Sequence, residues 1–353
     1  MTHSMKLKGA EKMAKEFRIL SIDGGGMLGT YSAAILDAIE KHYKKPILGN
    51  FDLISGTSSG SIIAAALAVK KTPAEILGFF TGNARRVFNY NRAGTAGDFF
   101  RTIWQLIGGS KYSNKRLLEA YRALYGENTS MGSVKTCYLC LTSFNVTRGR
   151  TTVFRTPHSR GALKHIDVPL WKAVACSSAA MTYMPQYFMD NYGENCGYVD
   201  GGSWANNPTM VGLAETFKNF MDKNNNIKIK VVSVGSYSEN LRSKRVYSSL
   251  ASWGTDLLTL FFSGQVKSAD YELKCILNDS RHDYVRFEPV VDHSQAKKFT
   301  MDNTDPGELL DMIDMAGADF TAHMKEKNFR SVMDSIFLSG QKSAPKFLRP
   351  SVK

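Results

Sequence analysis

No apolar stretch in this sequence is long enough to cross a bilayer as a helix. The longest uninterrupted run is Ile62–Val69, where a span needs about 20 residues. Cysteine is scarce: five in 353 residues, odd in number and without framework spacing. That excludes a disulfide scaffold and fits a reducing compartment. Cys137 and Cys140 form a CxxC, but in the strand-like run Lys135–Thr142 their side chains would face opposite sides of a sheet. No second pair completes four zinc ligands, so both read as structural thiols. There is no EF-hand-like acidic loop for calcium and no Gly-Lys-Ser/Thr ending for a Walker phosphate loop. Residues 1–16 carry Lys6, Lys8, Lys12 and Lys15 but no apolar core, so no secretory signal is expected. A soluble cytoplasmic protein is the reading.

What is present is core material and positive charge. Apolar residues make up 43% of the chain, ample for a packed interior. Lys and Arg number 45 against 32 Asp and Glu, a net charge of +13. The excess favours an anionic partner: phospholipid headgroups, a phosphorylated small molecule or nucleic acid. Nucleic acid as substrate ranks low, because no zinc-finger or aromatic RNA-binding pattern accompanies the charge. A merely soluble basic surface remains the alternative, and homo-oligomerisation is left open.

Strand-like runs at 17–22, 51–54, 135–144, 151–155, 229–234 and 283–288 alternate with helical patterns. Tyr31–Tyr43 places Ala34, Ile35, Ala38 and Ile39 on one stripe, the spacing of an amphipathic helix. Further helices are expected at 61–69, 73–88, 113–125, 169–179, 208–222, 250–278 and 306–328. Such alternation predicts an α/β fold, a three-layer sandwich whose mostly parallel central sheet carries helices on both faces. No linker divides the chain. One domain over 17–330 is expected, between a basic N-terminal extension (1–16) and a C-terminal tail (331–353).

Two glycine clusters sit where a buried strand gives way to a helix. Gly56-Thr57-Ser58-Ser59-Gly60 follows Phe51–Ile54 and precedes the small-residue run Ser61–Val69. This is the context in which Gly-x-Ser-x-Gly presents a nucleophilic serine on a sharp turn. Asp23-Gly24-Gly25-Gly26 follows Phe17–Ile22 and offers consecutive backbone N–H groups, a cradle for an anion. Gly24, Gly26 and Gly29 also match a dinucleotide fingerprint, which competes as a cofactor site, but the acidic residue expected about 20 positions on, at the end of a second strand, has no convincing occupant. An oxyanion hole built from Gly24, Gly25 and Gly26 explains both clusters at once.

A hydrolase needs a base. Histidines late in the chain, His282, His293 and His323, lack a Gly-flanked context. The segment Tyr198-Val199-Asp200-Gly201-Gly202, with Asn206-Asn207-Pro208 after it, ends a short strand in an acid. An aspartate there could take the serine's proton if burial raises its pKa and the substrate is an ester.

Asp23-Gly24-Gly25-Gly26, Gly56-Thr57-Ser58-Ser59-Gly60 and Asp200-Gly201-Gly202 resemble, in order, the three signature blocks of the patatin-like phospholipases. The resemblance runs over roughly residues 17 to 330. It implies a Ser58–Asp200 dyad, with the 24–26 amides as oxyanion hole and Gly56, Gly60, Gly201 and Gly202 as supporting glycines. It also implies hydrolysis of membrane glycerophospholipids at the inner face of the cell membrane, without a metal or other cofactor. Leu28 departs from the pattern, since the family's first block usually continues Gly-x-Arg-Gly.

Length, missing signal and basic character further resemble the bacterial patatin-type effectors of anti-phage signalling, which a cyclic dinucleotide switches on. Arg85-Arg86, Lys111 with Lys115-Arg116, and Arg242 with Lys244-Arg245 are the candidate basic clusters for such an activator. The stretch Trp253–Phe262 is a candidate for lipid contact, with a core helix as alternative; Phe99-Phe100 and Trp104 could belong to a cap. A constitutive lipid acyl hydrolase and a non-catalytic module for phosphorylated ligands stay open beside the gated enzyme.

Overall fold

A computed structural model of the chain describes residues 15–87, 115–181, 183–190, 193–221, 227–237, 247–249, 253, 256–277, 282–290, 299, 301–302, 304–342 and 345–348. Of the motifs above, Phe99-Phe100, Trp104, Lys111, Arg242, Lys244-Arg245, His293 and the side chains of Arg85-Arg86 lie outside the described residues.

The strands are β1 (Lys15–Ile22), β2 (Leu53–Gly56), β3 (Tyr138–Asn145), β4 (Arg150–Arg155), β5 (Tyr187–Asp190), β6 (Asn195–Asp200), β7 (Ile227–Val234) and β8 (Asp283–Phe287). They form one eight-stranded sheet in the order β5-β6-β3-β2-β1-β7-β8, with β4 paired to β3. The pairs β1–β2, β1–β7, β2–β3 and β7–β8 are parallel. β4 and β6 run antiparallel to β3, and β5 antiparallel to β6. The sheet is therefore mixed at one edge, where β5 was not anticipated.

Alternation within strands divides the core. Ile19, Leu53, Ile229 and Val231 face one apolar cluster, while Leu20, Ile22, Ile54, Val232 and Val234 face the other. That is the period-two pattern of a sheet buried on both sides. The helices are α1 (Gly29–Tyr43), α2 (Ser59–Ala68), α3 (Pro73–Val87), α4 (Lys115–Tyr125), α5 (Leu170–Ser177), α6 (Thr209–Asn219), α7 (Asp256–Ile276), α8 (Pro306–Lys325) and α9 (Lys327–Phe337). At the start of α3 the Thr72 hydroxyl accepts the Glu75 N–H (3.2 Å) and Glu75 accepts the Thr72 N–H (2.8 Å), a reciprocal capping box.

Two expectations need correction at the C-terminal end. The helical pattern at 306–328 is two helices, broken at Glu326 (φ −73°, ψ 117°). Residues 331–337 are not a tail: they belong to α9, whose Met333, Ile336 and Phe337 are buried in the core. Arg18 on β1 fixes that helix by donating to the Ile336 carbonyl (3.0 Å).

Candidate active site

β2 ends at Gly56 and α2 begins at Ser59, so Thr57 and Ser58 alone make the turn between them. Ser58 adopts φ 53° and ψ −121°, a backbone state that costs a non-glycine residue about 1–3 kcal/mol. The surroundings impose it. The Thr57 hydroxyl donates to the Ala205 carbonyl (2.6 Å) and meets the Thr142 hydroxyl (2.6 Å), tying the turn to β3 and to the loop after β6. The Ser61 hydroxyl donates to the Ser58 carbonyl (2.6 Å) and the Ser58 N–H donates to Ser177 Oγ (3.2 Å). A β-carbon at Gly60 would strike the carbonyls of Ile22 and Asp23, so only glycine lets α2 close against β1.

Asp200 terminates β6, and its position is as tightly held. Its N–H donates to the Ala179 carbonyl (3.0 Å), and its Oδ1 accepts the Gly202 N–H (2.7 Å). Gly201 packs against Thr142, the residue that also holds Thr57. The carboxyl is buried, and burial pushes its pKa up to about 6, against the lowering effect of hydrogen bonds from the Ser58 hydroxyl and the Gly202 amide. A carboxylate so placed is a better base than one in water. The structure thus brings Ser58 and Asp200 together, as the motif spacing suggested.

The glycine-rich loop is held from four sides. The Asp23 N–H donates to the Val234 carbonyl (3.0 Å), the Ser236 hydroxyl to the Gly24 carbonyl (2.7 Å) and the Met27 N–H to the Met301 carbonyl (2.7 Å). The fourth tie alters the oxyanion-hole expectation. The Gly24 N–H donates to the Asn206 carbonyl (2.9 Å), so this amide is already engaged. The Gly25 and Gly26 amides have no acceptor among the described residues. Gly26, at φ 59°, turns the chain here and lines the cavity in front of Ser58.

Leu28 is buried in the core and supplies no charge. Instead Arg286, on β8, reaches beneath the loop. Its guanidinium donates to Asp23 Oδ2 (2.6 Å) and to Ser233 Oγ (2.6 Å). Burial works against the charge on Arg286, but Asp23 first, then Tyr284 and Glu288, together outweigh it and raise the guanidinium pKa. The motif reading missed this residue; an arginine at the end of a sheet strand, with an orphan aspartate before Gly24, was the available signal.

The cavity at Ser58 is apolar. Ile62, Phe79, Phe80, Leu117 and Met184 line it, with Tyr183 and Met301 at its wall. Among the described residues no histidine borders it. His282 accepts the Ile229 N–H on its Nδ1 (3.0 Å), and His323 packs between Phe287 and Phe329. Cys137, Cys140 and Cys176 are buried thiols pushed up by that burial. Among the described residues no cluster of three His, Cys, Asp or Glu side chains is placed for a metal ion, and no helix is long and apolar enough to cross a membrane.

The chain is similar to several known proteins. A cGAMP-activated phospholipase of Vibrio cholerae is 27% identical over 91% of this chain and 96% of its own length. A protein of the same name from Escherichia coli is 28% identical over 88% of this chain and 92% of its own. The crystal structure of VipD from Legionella pneumophila superposes only loosely (TM-score 0.39, 11% identity, 89% of this chain and 72% of that one). The family model for patatin-like phospholipases matches residues 20–213, from β1 through Ser58 and Asp200 into α6. The chain therefore belongs to the patatin-like phospholipase family.

Proposed function

We propose that this protein is a phospholipase that releases fatty acids from membrane glycerophospholipids through a Ser58–Asp200 dyad, and that a cyclic dinucleotide switches it on. The observation that carries the chemistry is the pairing of a serine at φ 53° with a buried carboxyl whose pKa is about 6. Asp200 accepts the hydroxyl proton as Ser58 Oγ attacks the ester carbonyl. The Gly25 and Gly26 amides receive the developing oxyanion, assisted by the N-terminus of α2. Collapse of the tetrahedral species expels the lysophospholipid alcohol, which takes the proton back from Asp200. Water then attacks the acyl-Ser58 ester with Asp200 again as base. The apolar cavity accommodates the acyl chain, and the reaction proceeds without calcium.

Peripheral membrane contact is assigned to α7. Its Gln265 accepts the Asn206 N–H (3.0 Å) and Phe262 packs by Gly202, so the helix borders the dyad. Leu260 and Phe261 beside them are exposed, and a basic chain is attracted to an anionic surface. Control by a cyclic dinucleotide is supported by the relatives named for activation by cGAMP, which align with nearly the whole chain. The test is fatty-acid release from phospholipid vesicles in EDTA, with and without cGAMP. Release that depends on the nucleotide and vanishes in Ser58→Ala is expected. Equal rates with and without it would instead indicate a constitutive hydrolase, and no release under any condition would remove the enzymatic reading.

A further inference from the structure

A second cavity, of about 370 Å³, opens at the mixed edge of the sheet. Its walls come from β4, the 3₁₀ turn Arg160–His165, the start of α5 and the β5–β6 hairpin. The volume falls within the range of about 300–1,000 Å³ usual for small-molecule sites. Its charge is unlike that of the cavity at Ser58. Arg148, Arg150, Lys164 and Lys172 line it, against two acids, Asp167 and Asp190. Arg148 is paired with Glu194, which Arg150 also favours electrostatically from farther off, while Lys172 forms no ion pair among the described residues. Lys172 instead lies 5.5 Å from the Trp171 ring. Burial, then Arg150, Arg155 and Arg148, lower the pKa of Lys164. Cations are therefore gathered here at a mutual cost that a bound anion would relieve.

His165 adds a donor. Its Nδ1 accepts the Arg155 N–H (3.3 Å), so in the neutral ring Nε2 carries the hydrogen. Burial, then Lys164 and Arg155, hold its pKa down at about 3, which keeps the ring neutral. Leu163, Val168 and Met189 make the remaining wall apolar, a surface suited to a heterocycle.

The cavity also touches both elements that hold the dyad. Pro169 and Lys172 stand at the start of α5, and the same helix ends at Ser177, whose Oγ accepts the Ser58 N–H. Tyr198 is part of the cavity wall, and Asp200 follows two positions later on β6. The Asp200 N–H is in turn bound to the Ala179 carbonyl, just beyond α5. A ligand drawing Lys172 toward Arg150 would load α5 against β4, with Tyr198 of β6 in the same cavity wall.

We infer that this basic cavity is a binding site for phosphodiester anions, and that its ligand is the activating cyclic dinucleotide, coupled to Ser58 and Asp200 through α5 and β6. The identity of the ligand rests on the gating reading above; the anion site rests on the cavity itself. Lys115 and Arg116, the basic pair from the sequence that is described, lie on α4 and do not line it.

The full-length protein, its Arg150→Glu/Lys172→Glu double variant, the milder Arg150→Gln/Lys172→Met variant and an exposed control, Lys218→Glu, are to be compared by calorimetric cGAMP binding and by vesicle hydrolysis. The expected result is cGAMP affinity at least 30-fold weaker in both cavity variants and within threefold of wild type in the control. The hydrolysis curve should shift to higher cGAMP by a similar factor, with the melting temperature of the milder variant unchanged. Wild-type cGAMP affinity in that milder variant overturns the proposal while leaving gating intact. If the unaltered protein neither binds nor responds to any cyclic dinucleotide, the gating reading fails, and flotation with phosphatidylglycerol vesicles decides the anion site. Vesicle binding weakened only by the cavity variants then identifies a lipid headgroup as the phosphodiester source; unchanged binding overturns the site as well.

Discussion

Replacing Asp200 by asparagine should make the protein inactive and more stable at the same time. The amide is nearly isosteric, and its oxygen can still accept the Gly202 N–H that Oδ1 accepts at 2.7 Å. What disappears is a buried negative charge. Burial raises the carboxyl from 3.8 to about 6, a displacement worth about 3 kcal/mol. Because the folded pKa is the higher one, the native state binds the proton more tightly. The stability this contributes is complete below pH 3.8, declines as pH rises and is gone above about 6. At pH 8 the wild type holds an ionised carboxylate in a desolvated place, and asparagine avoids that cost.

Thermal unfolding of Asp200→Asn should therefore show a gain at pH 8, at most about 3 kcal/mol, that shrinks by pH 5. Fatty-acid release should fall by about 100–10,000-fold, the usual contribution of a general base. In the wild type, kcat/KM should rise with pH through a midpoint near 6 and then level off. An Asn variant that keeps activity within tenfold would refute the assignment of Asp200 as base. One that loses stability equally at pH 5 and pH 8 would show that the carboxylate serves the fold as a cap rather than the chemistry.

Three further substitutions probe the surroundings of the dyad. Ser58→Gly should abolish release without lowering the melting temperature, because φ 53° is free to glycine and costs serine about 1–3 kcal/mol; a clear drop would mean the turn is unstrained. Arg286→Met should destabilise the fold by about 3–5 kcal/mol, since it leaves Asp23 buried and uncompensated. Adding Asp23→Asn should recover most of that loss, and Arg286→Lys should restore kcat more than KM if the guanidinium positions the glycine loop. Phe261→Asp should slow hydrolysis of vesicles severalfold but leave a short-chain soluble ester unaffected, because Phe261 is exposed beside the site rather than in it; equal loss on both substrates would remove α7 from the membrane contact.

How much of this was readable from the sequence follows from how each feature is built. Ser58 is specified by a strand, a pentapeptide and a helix in direct succession, and Gly60 faces Ile22 and Asp23 because that local geometry leaves no other choice. Asp200 was readable for the same reason, as the acid closing a strand before two glycines. The parallel sheet was legible from strand–helix alternation, but β5 is a short edge strand with Phe188 exposed, so its pattern never alternates cleanly. The helical pattern at 306–328 runs across the break at Glu326, and the boundary at residue 330, set by the extent of the family resemblance, left out most of α9, which packs into the core.

Arg286 and the basic cavity are another kind of feature. Arg286 meets Asp23 only because β8 joins β7 and β7 joins β1, an order no local signal encodes. Arg148, Arg150, Lys164 and Lys172 are spread over the β3–β4 turn, the start of β4, a 3₁₀ turn and a helix, while the runs that stand out in the sequence, such as Lys115-Arg116, lie elsewhere. The same contrast bears on Leu28. Leu28 stands where the family's first block usually has an arginine, and a positive charge beneath the loop comes from Arg286 at the far end of the sheet. Arg286 anchors the loop through Asp23 from another strand, and with Gly24 engaged by Asn206 the amides left without an acceptor among the described residues are those of Gly25 and Gly26.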